Sequence, residues 1–194
     1  MTTLFQRFIT ALLFITGAAL TGCAQVPMGT PAASVDNIQK AKSIGMAPVN
    51  VGEFALAAGK EPKLDQGLSM RGNGLSSPYD GSFAKYLKET LRTELQAAGL
   101  LDPASATTIR GFLTASQADA AIGQGSGTLA ARFLVVRGGA TVYDKELKVD
   151  ATWESSFVGA IAIPAARNEY TALYRKLVGQ LLSDPAFRKA VLPS

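Results

Sequence analysis

Near its amino terminus the chain carries thirteen uncharged, mostly apolar residues, Phe8 to Leu20, preceded by Arg7 and followed by Thr21-Gly22-Cys23. As a helix rising 1.5 Å per residue, this run would cover only about two thirds of a ~30 Å hydrocarbon core. Its length is that of the apolar segment in a secretory signal. From Ala24 to Lys40 the sequence turns small, polar and proline-containing, AQVPMGTPAASVDNIQK, the pattern of a flexible tether. A single globular domain is expected over residues 41–194.

Within that domain the apolar spacing changes period several times. Ser43 to Ala57 has strand-like content interrupted by Pro48 and Gly52, which suits an edge or bulged strand. Residues 58–80 show no sustained period and read as a long loop, a length that in compact domains goes with function or mobility. Phe83, Leu87, Leu91 and Leu95 then recur every four residues, with Tyr86 and Ala98 beside them, so a helix is predicted. Ser82 is its N-cap, Gly99 lies just past its end, and Pro103 prevents continuation. Its polar side carries Lys85, Lys88, Glu89, Arg92 and Glu94.

Three strands follow, over Thr107–Ala115, Gly127–Arg137 and Thr141–Glu154. The last alternates almost perfectly, with Leu147, Val149, Ala151 and Trp153 facing one way and Asp144, Glu146, Lys148, Asp150, Thr152 and Glu154 the other. Gly138-Gly139 supplies the positive φ angles of a tight hairpin between the last two strands. A second amphipathic helix is expected from Pro164 to about Ser183, then a short one capped by Asp184-Pro185. The order β-α-β-β-β-α predicts an α+β fold, a mostly antiparallel sheet with two helices on one face.

Composition narrows the chemistry. The 194 residues include one cysteine and no histidine, which excludes Ser-His-Asp and Cys-His catalysis, a His-containing zinc site and an internal disulfide. Formal net charge is +4, yet the densest basic cluster, Lys85, Lys88 and Arg92, is balanced by Glu89 and Glu94. Nucleic-acid binders concentrate cations on one face among aromatics, so nucleic acid is not an expected partner.

The cysteine has a specific context. Leu20-Thr21-Gly22-Cys23 directly after the apolar run resembles the lipobox of bacterial lipoproteins. That resemblance implies a diacylglyceryl group on the Cys23 sulfur and cleavage between Gly22 and Cys23. It also implies acylation of the new amine and a signal peptide of residues 1–22. Two or more acyl chains hold a protein stably on a bilayer surface without spanning it. Ala24 stands where an aspartate would favour inner-membrane retention, so the resemblance points to the outer membrane with the domain facing the periplasm. The element order also resembles that of the lipopolysaccharide-assembly lipoprotein and the auxiliary lipoproteins of ABC-type lipid transport systems.

Other motifs are weaker. Gly123-Gln124-Gly125-Ser126-Gly127 precedes a strand and lacks the Lys-Ser/Thr of a phosphate loop, so a flexible hairpin tip is expected. Asp144, Glu146, Asp150 and Glu154 are expected to form a solvated strand face. Ser76-Ser77 and Ser155-Ser156 have no activating base, and Trp153 is expected to pack under a helix. In the long loop, Met70, Arg71, Asn73 and Leu75 form a candidate recognition loop. The expectation is a non-enzymatic envelope lipoprotein without cofactor or metal, an assembly or transport accessory that binds membrane lipid through Cys23 and a protein partner. The alternative, a carrier of a lipid or other apolar ligand, needs an enclosed apolar cavity between sheet and helices.

Overall fold

The computed structural model describes residues 25–193. The signal segment and Cys23 lie outside the described residues. The elements are β1 (Gln25–Pro27), α1 (Val35–Ile44), β2 (Asn50–Leu56), α2 (Lys63–Gln66), β3 (Leu68–Met70), β4 (Asn73–Ser76), α3 (Phe83–Ala98), β5 (Thr107–Asp119), β6 (Gly123–Arg137), β7 (Ala140–Ser155), α4 (Gly159–Ser183) and α5 (Pro185–Val191). The fold is α+β.

The main sheet has the order β2-β5-β6-β7. β5, β6 and β7 form an antiparallel meander, whereas β2 joins β5 in parallel, with Val51 opposite Ile109. Period-two patterning carries directly into burial. Leu129, Ala131, Phe133 and Val135 of β6 are inaccessible and lie beneath the helices. The opposite face holds separate polar pairs: Arg132 with Asp144, the Thr114 hydroxyl donating to Glu146 at 2.9 Å, and the Thr128 hydroxyl donating to Asp150 at 2.6 Å. Gly138 and Gly139 both take positive φ, 54° and 84°, closing the β6–β7 hairpin as expected.

α3 begins where its capping residue placed it. The Ser82 hydroxyl accepts from the Lys85 amide at 3.1 Å and donates to Asp65 at 2.8 Å, while Asp65 also accepts from the Ala84 amide at 2.7 Å. α3 and α4 cover the sheet with Phe83, Leu87, Leu91, Leu95, Tyr170, Leu173, Tyr174 and Leu177, all inaccessible. A hydroxyl chain crosses this interior: Ser116 Oγ, Tyr170 Oη and Tyr174 Oη are linked at 2.7 Å per step. Burial raises the pKa of both phenols, so they remain neutral donors and acceptors.

Four details differ from the sequence reading. α4 starts at Gly159, five residues before Pro164, so the proline lies inside the helix. There it lacks the N–H that would bond one turn back, and its ring crowds the carbonyl of Ala160. The glycine run 123–127 is not a hairpin tip but the beginning of β6. A Cβ at Gly125 would overlap the Trp153 indole, so the bare backbone makes room for that ring. The 58–80 segment holds α2 and the β3–β4 hairpin.

The fourth difference is the largest: residues 25–44 are built into the domain and are not a tether. β1 pairs in parallel with β4, and the Met28 amide continues the ladder to Ser76 O at 2.9 Å. α1 lies across α3 and α4 as a third layer. Ser34 caps it by accepting from the Asn37 amide at 3.1 Å. Asn37 Nδ2 donates to Glu94 Oε1 at 2.9 Å and to Arg175 O at 3.0 Å, and the Ser34 amide donates to Glu94 Oε2 at 2.9 Å. Gly179 on α4 allows this approach, because a Cβ there would sit 2.6 Å from Asn37 Oδ1. Glu94, expected on the solvent side of α3, is fully buried by α1.

Candidate functional site at the chain-entry end

One end of the molecule gathers the start of β1, a tight hairpin and a group of exposed apolar side chains. β3 and β4 form a tight hairpin, Met70 opposite Asn73, with Arg71 and Gly72 at its tip in positive φ. β1 runs alongside β4 with Gln25 opposite Gly74, so the first described residue sits next to that tip. The chain therefore enters the fold beside Arg71–Asn73.

The proposed recognition residues divide here. Met70 and Leu75 are buried in the core, because alternate residues of the short strands face the domain. They are unavailable to a partner, which corrects the expectation of a mobile recognition loop at these two positions. Arg71 is committed internally as well. Its Nε donates to Ala120 O at 2.6 Å, Nη2 to Ser156 O at 2.8 Å and Nη1 to Phe157 O at 3.2 Å. It thereby fastens the hairpin tip to the β5–β6 turn and to the β7–α4 connection. Asn73 turns its side-chain amide back onto Arg71 O at 3.2 Å. Cys23 and Gly22 lie outside the described residues.

The loops that Arg71 binds carry exposed apolar side chains. Ile122 is 73% exposed, Phe157 78% and Ile161 61%, and Val158 is partly exposed beside them. Ile122, Phe157 and Ile161 line one shallow groove together with Ser155, Ser156 and Glu154. In the sequence, Phe157–Ile163 is an apolar stretch that lies before the helix expected from Pro164. The missed signal was an apolar stretch with no polar alternation directly before a helix.

Elsewhere the titratable groups are engaged structurally. Burial alone would raise the Asp184 pKa, but Lys145 at 2.6 Å and the Phe187 and Ala186 amides outweigh it, and the carboxyl titrates below its usual range. Asp144 is lowered by its hydrogen bond to Arg132. The Tyr86 phenol is pushed up to about 12 by burial, and it donates to Gly29 O at 2.9 Å, tying the entry segment to α3. Surface grooves of about 330–520 Å³ are open to solvent. Between sheet and helices lie the buried aromatic and leucine side chains named above. No helix among the described residues is long and apolar enough to cross a membrane.

Comparison with known proteins adds the fold. A Xanthomonas campestris protein of family DUF330 superposes with a TM-score of 0.52 at 12% identity, over 82% of this chain and 95% of its own. The likeness is one of fold. A Caulobacter crescentus protein gives 0.44 at 14% identity over 79% and 95% of the two chains. A minor lipoprotein from Acinetobacter baumannii gives 0.39 at 12% over 75% and 90%. No family model and no curated protein matches the sequence.

Proposed function

We propose that this chain is a lipid-anchored, non-enzymatic accessory of a bacterial envelope. In this reading it is held at the outer membrane through acylated Cys23, its domain faces the periplasm, and it serves an assembly or transport machine. The observation that carries the reading is the placement of the only cysteine. It closes Leu20-Thr21-Gly22-Cys23 immediately after an apolar run too short to span a bilayer. Support for a non-enzymatic role comes from the absence of histidine in the sequence and from the dispersal of the β7 carboxylates into separate surface pairs. The aromatic and leucine side chains buried between sheet and helices weigh against the carrier alternative, which needs an enclosed cavity there.

The test is Cys23→Ser in the native host, read by palmitate labelling, intact mass and membrane fractionation. Loss of label, with an uncleaved precursor or a released chain, is expected. Unchanged processing and fractionation would refute the anchor. Crosslinking from intact envelopes with the wild-type chain then tests the accessory role, for which reproducible co-purification of a defined protein assembly is expected.

A further inference from the structure

We infer that the cluster formed by Ile122, Phe157, Val158 and Ile161 is a second membrane contact, inserted among lipid acyl chains beside the Cys23 anchor. The inference rests on the reading of Cys23 as acylated, and it concerns how the domain sits once anchored.

Covalent geometry sets the first constraint. Only Ala24 separates Cys23 from Gln25, so two trans peptide units of ~3.8 Å each limit the Cα–Cα distance to roughly 7 Å. Gln25 is itself fixed, in register with Gly74 on β4. An acylated Cys23 thus leaves no slack for the domain to stand off the bilayer. The β3–β4 tip end must lie at the lipid surface.

The second constraint is what occupies that end. β1 is parallel to β4, so the chain traced back from Gln25 leads toward the Arg71–Gly72 tip. Arg71 holds that tip against Ala120, Ser156 and Phe157. Ile122 follows two residues after the first of these carbonyls, and Phe157 supplies the last. Phe157 directly precedes Val158, the N-cap of α4, Ile161 is the third residue of the helix, and both side chains line the same groove. Single exposed apolar residues are ordinary on a protein surface. Here four lie together at the end where the chain departs toward its anchor, whereas Val35, Val142 and Leu192 are scattered elsewhere.

The third constraint is charge. Asp119 and Glu154 flank the cluster, and the Arg71 guanidinium is taken up by carbonyls. Among the described residues the groove around the cluster is lined by no lysine or arginine, so the contact is apolar insertion and not electrostatic adhesion and is insensitive to salt. Interfacial side chains of this kind sit at the headgroup–acyl boundary.

The experiment uses mature lipidated protein in phosphatidylethanolamine–phosphatidylcholine vesicles. Cys23 is consumed as a thioether, so Phe157→Cys or Val142→Cys introduces the single thiol for an environment-sensitive dye. Both sites are exposed, and neither substitution disturbs the core. The dye at 157 is expected to emit further to the blue and to be quenched by shallow spin-labelled lipid at least about twofold more than the dye at 142, at low and high salt alike. Equal quenching at the two sites on protein that still floats with the vesicles would overturn the second contact and leave the anchor intact. Shielding of 157 in native envelopes but not in protein-free vesicles would also overturn it, assigning the surface to a protein. A dye that labels Cys23 would show a free thiol and remove the anchor itself.

Discussion

Replacing Glu94 by alanine tests how the entry segment is held. The carboxylate is fully buried and accepts from the Ser34 amide and from Asn37 Nδ2, both at 2.9 Å. Removing it strips the Ser34 amide of its partner and leaves Asn37 with one of two acceptors, Arg175 O. Hydrogen bonds to a charged group are worth about 1.5–3 kcal/mol each, and a buried donor left unpaired carries a desolvation penalty of about 1–3 kcal/mol. Partial access of water to the vacated site offsets some of this, so a net loss of about 2–4 kcal/mol is expected. At roughly 2–4 °C per kcal/mol for a domain of this size, the melting midpoint should fall by about 5–15 °C. Thermal and urea unfolding give the magnitude, and amide hydrogen exchange gives the location. Exchange should accelerate first over α1 and at Met28, whose amide bonds Ser76 O, while the β5–β7 meander stays protected. A loss below ~0.5 kcal/mol without faster exchange in α1 would refute the account.

Two further outcomes follow from the same kind of reasoning. Gly125→Val puts a branched side chain where the Trp153 indole lies against bare backbone; a loss of about 1–3 kcal/mol and a red shift of the single tryptophan's emission are expected, and an unchanged spectrum would show that the ring is not held there. The Asp184 carboxyl titrates below its unfolded value, so it contributes stability above pH ~4 and loses it as pH falls through the lower folded pKa. Asp184→Asn should therefore lower stability at pH 7 and flatten its acid dependence below pH ~4, and parallel wild-type and variant curves there would contradict this.

Much of the fold was legible because its causes are local. The four-residue spacing of Phe83, Leu87, Leu91 and Leu95 and the Ser82 cap defined α3, and the alternation of β7 sorted Leu147 from Asp144 without knowledge of any neighbour. The lipobox resemblance needs only contiguous residues, so the candidate anchor was also visible. Glu94 could not be placed this way. On its own helix it belongs to the polar face, and only α1, folded back from 57 residues earlier, turns that position into the interior. The same holds for Met70 and Leu75, whose strands are too short to show a period and whose burial depends on which face each strand turns to the domain.

The sequence by itself determined the helix, the meander, the exclusion of histidine chemistry and the single cysteine after its apolar run, since each is a matter of periodicity or count. Only the tertiary structure decided that residues 25–44 are part of the body and that Arg71 braces two loops. It also brought the exposed Ile122, Phe157 and Ile161 to the end where the chain enters. Those facts arise from hydrogen bonds and registers between residues far apart in the chain, where a polar side chain such as Asn37 or Glu94 gains a buried partner that no local pattern announces.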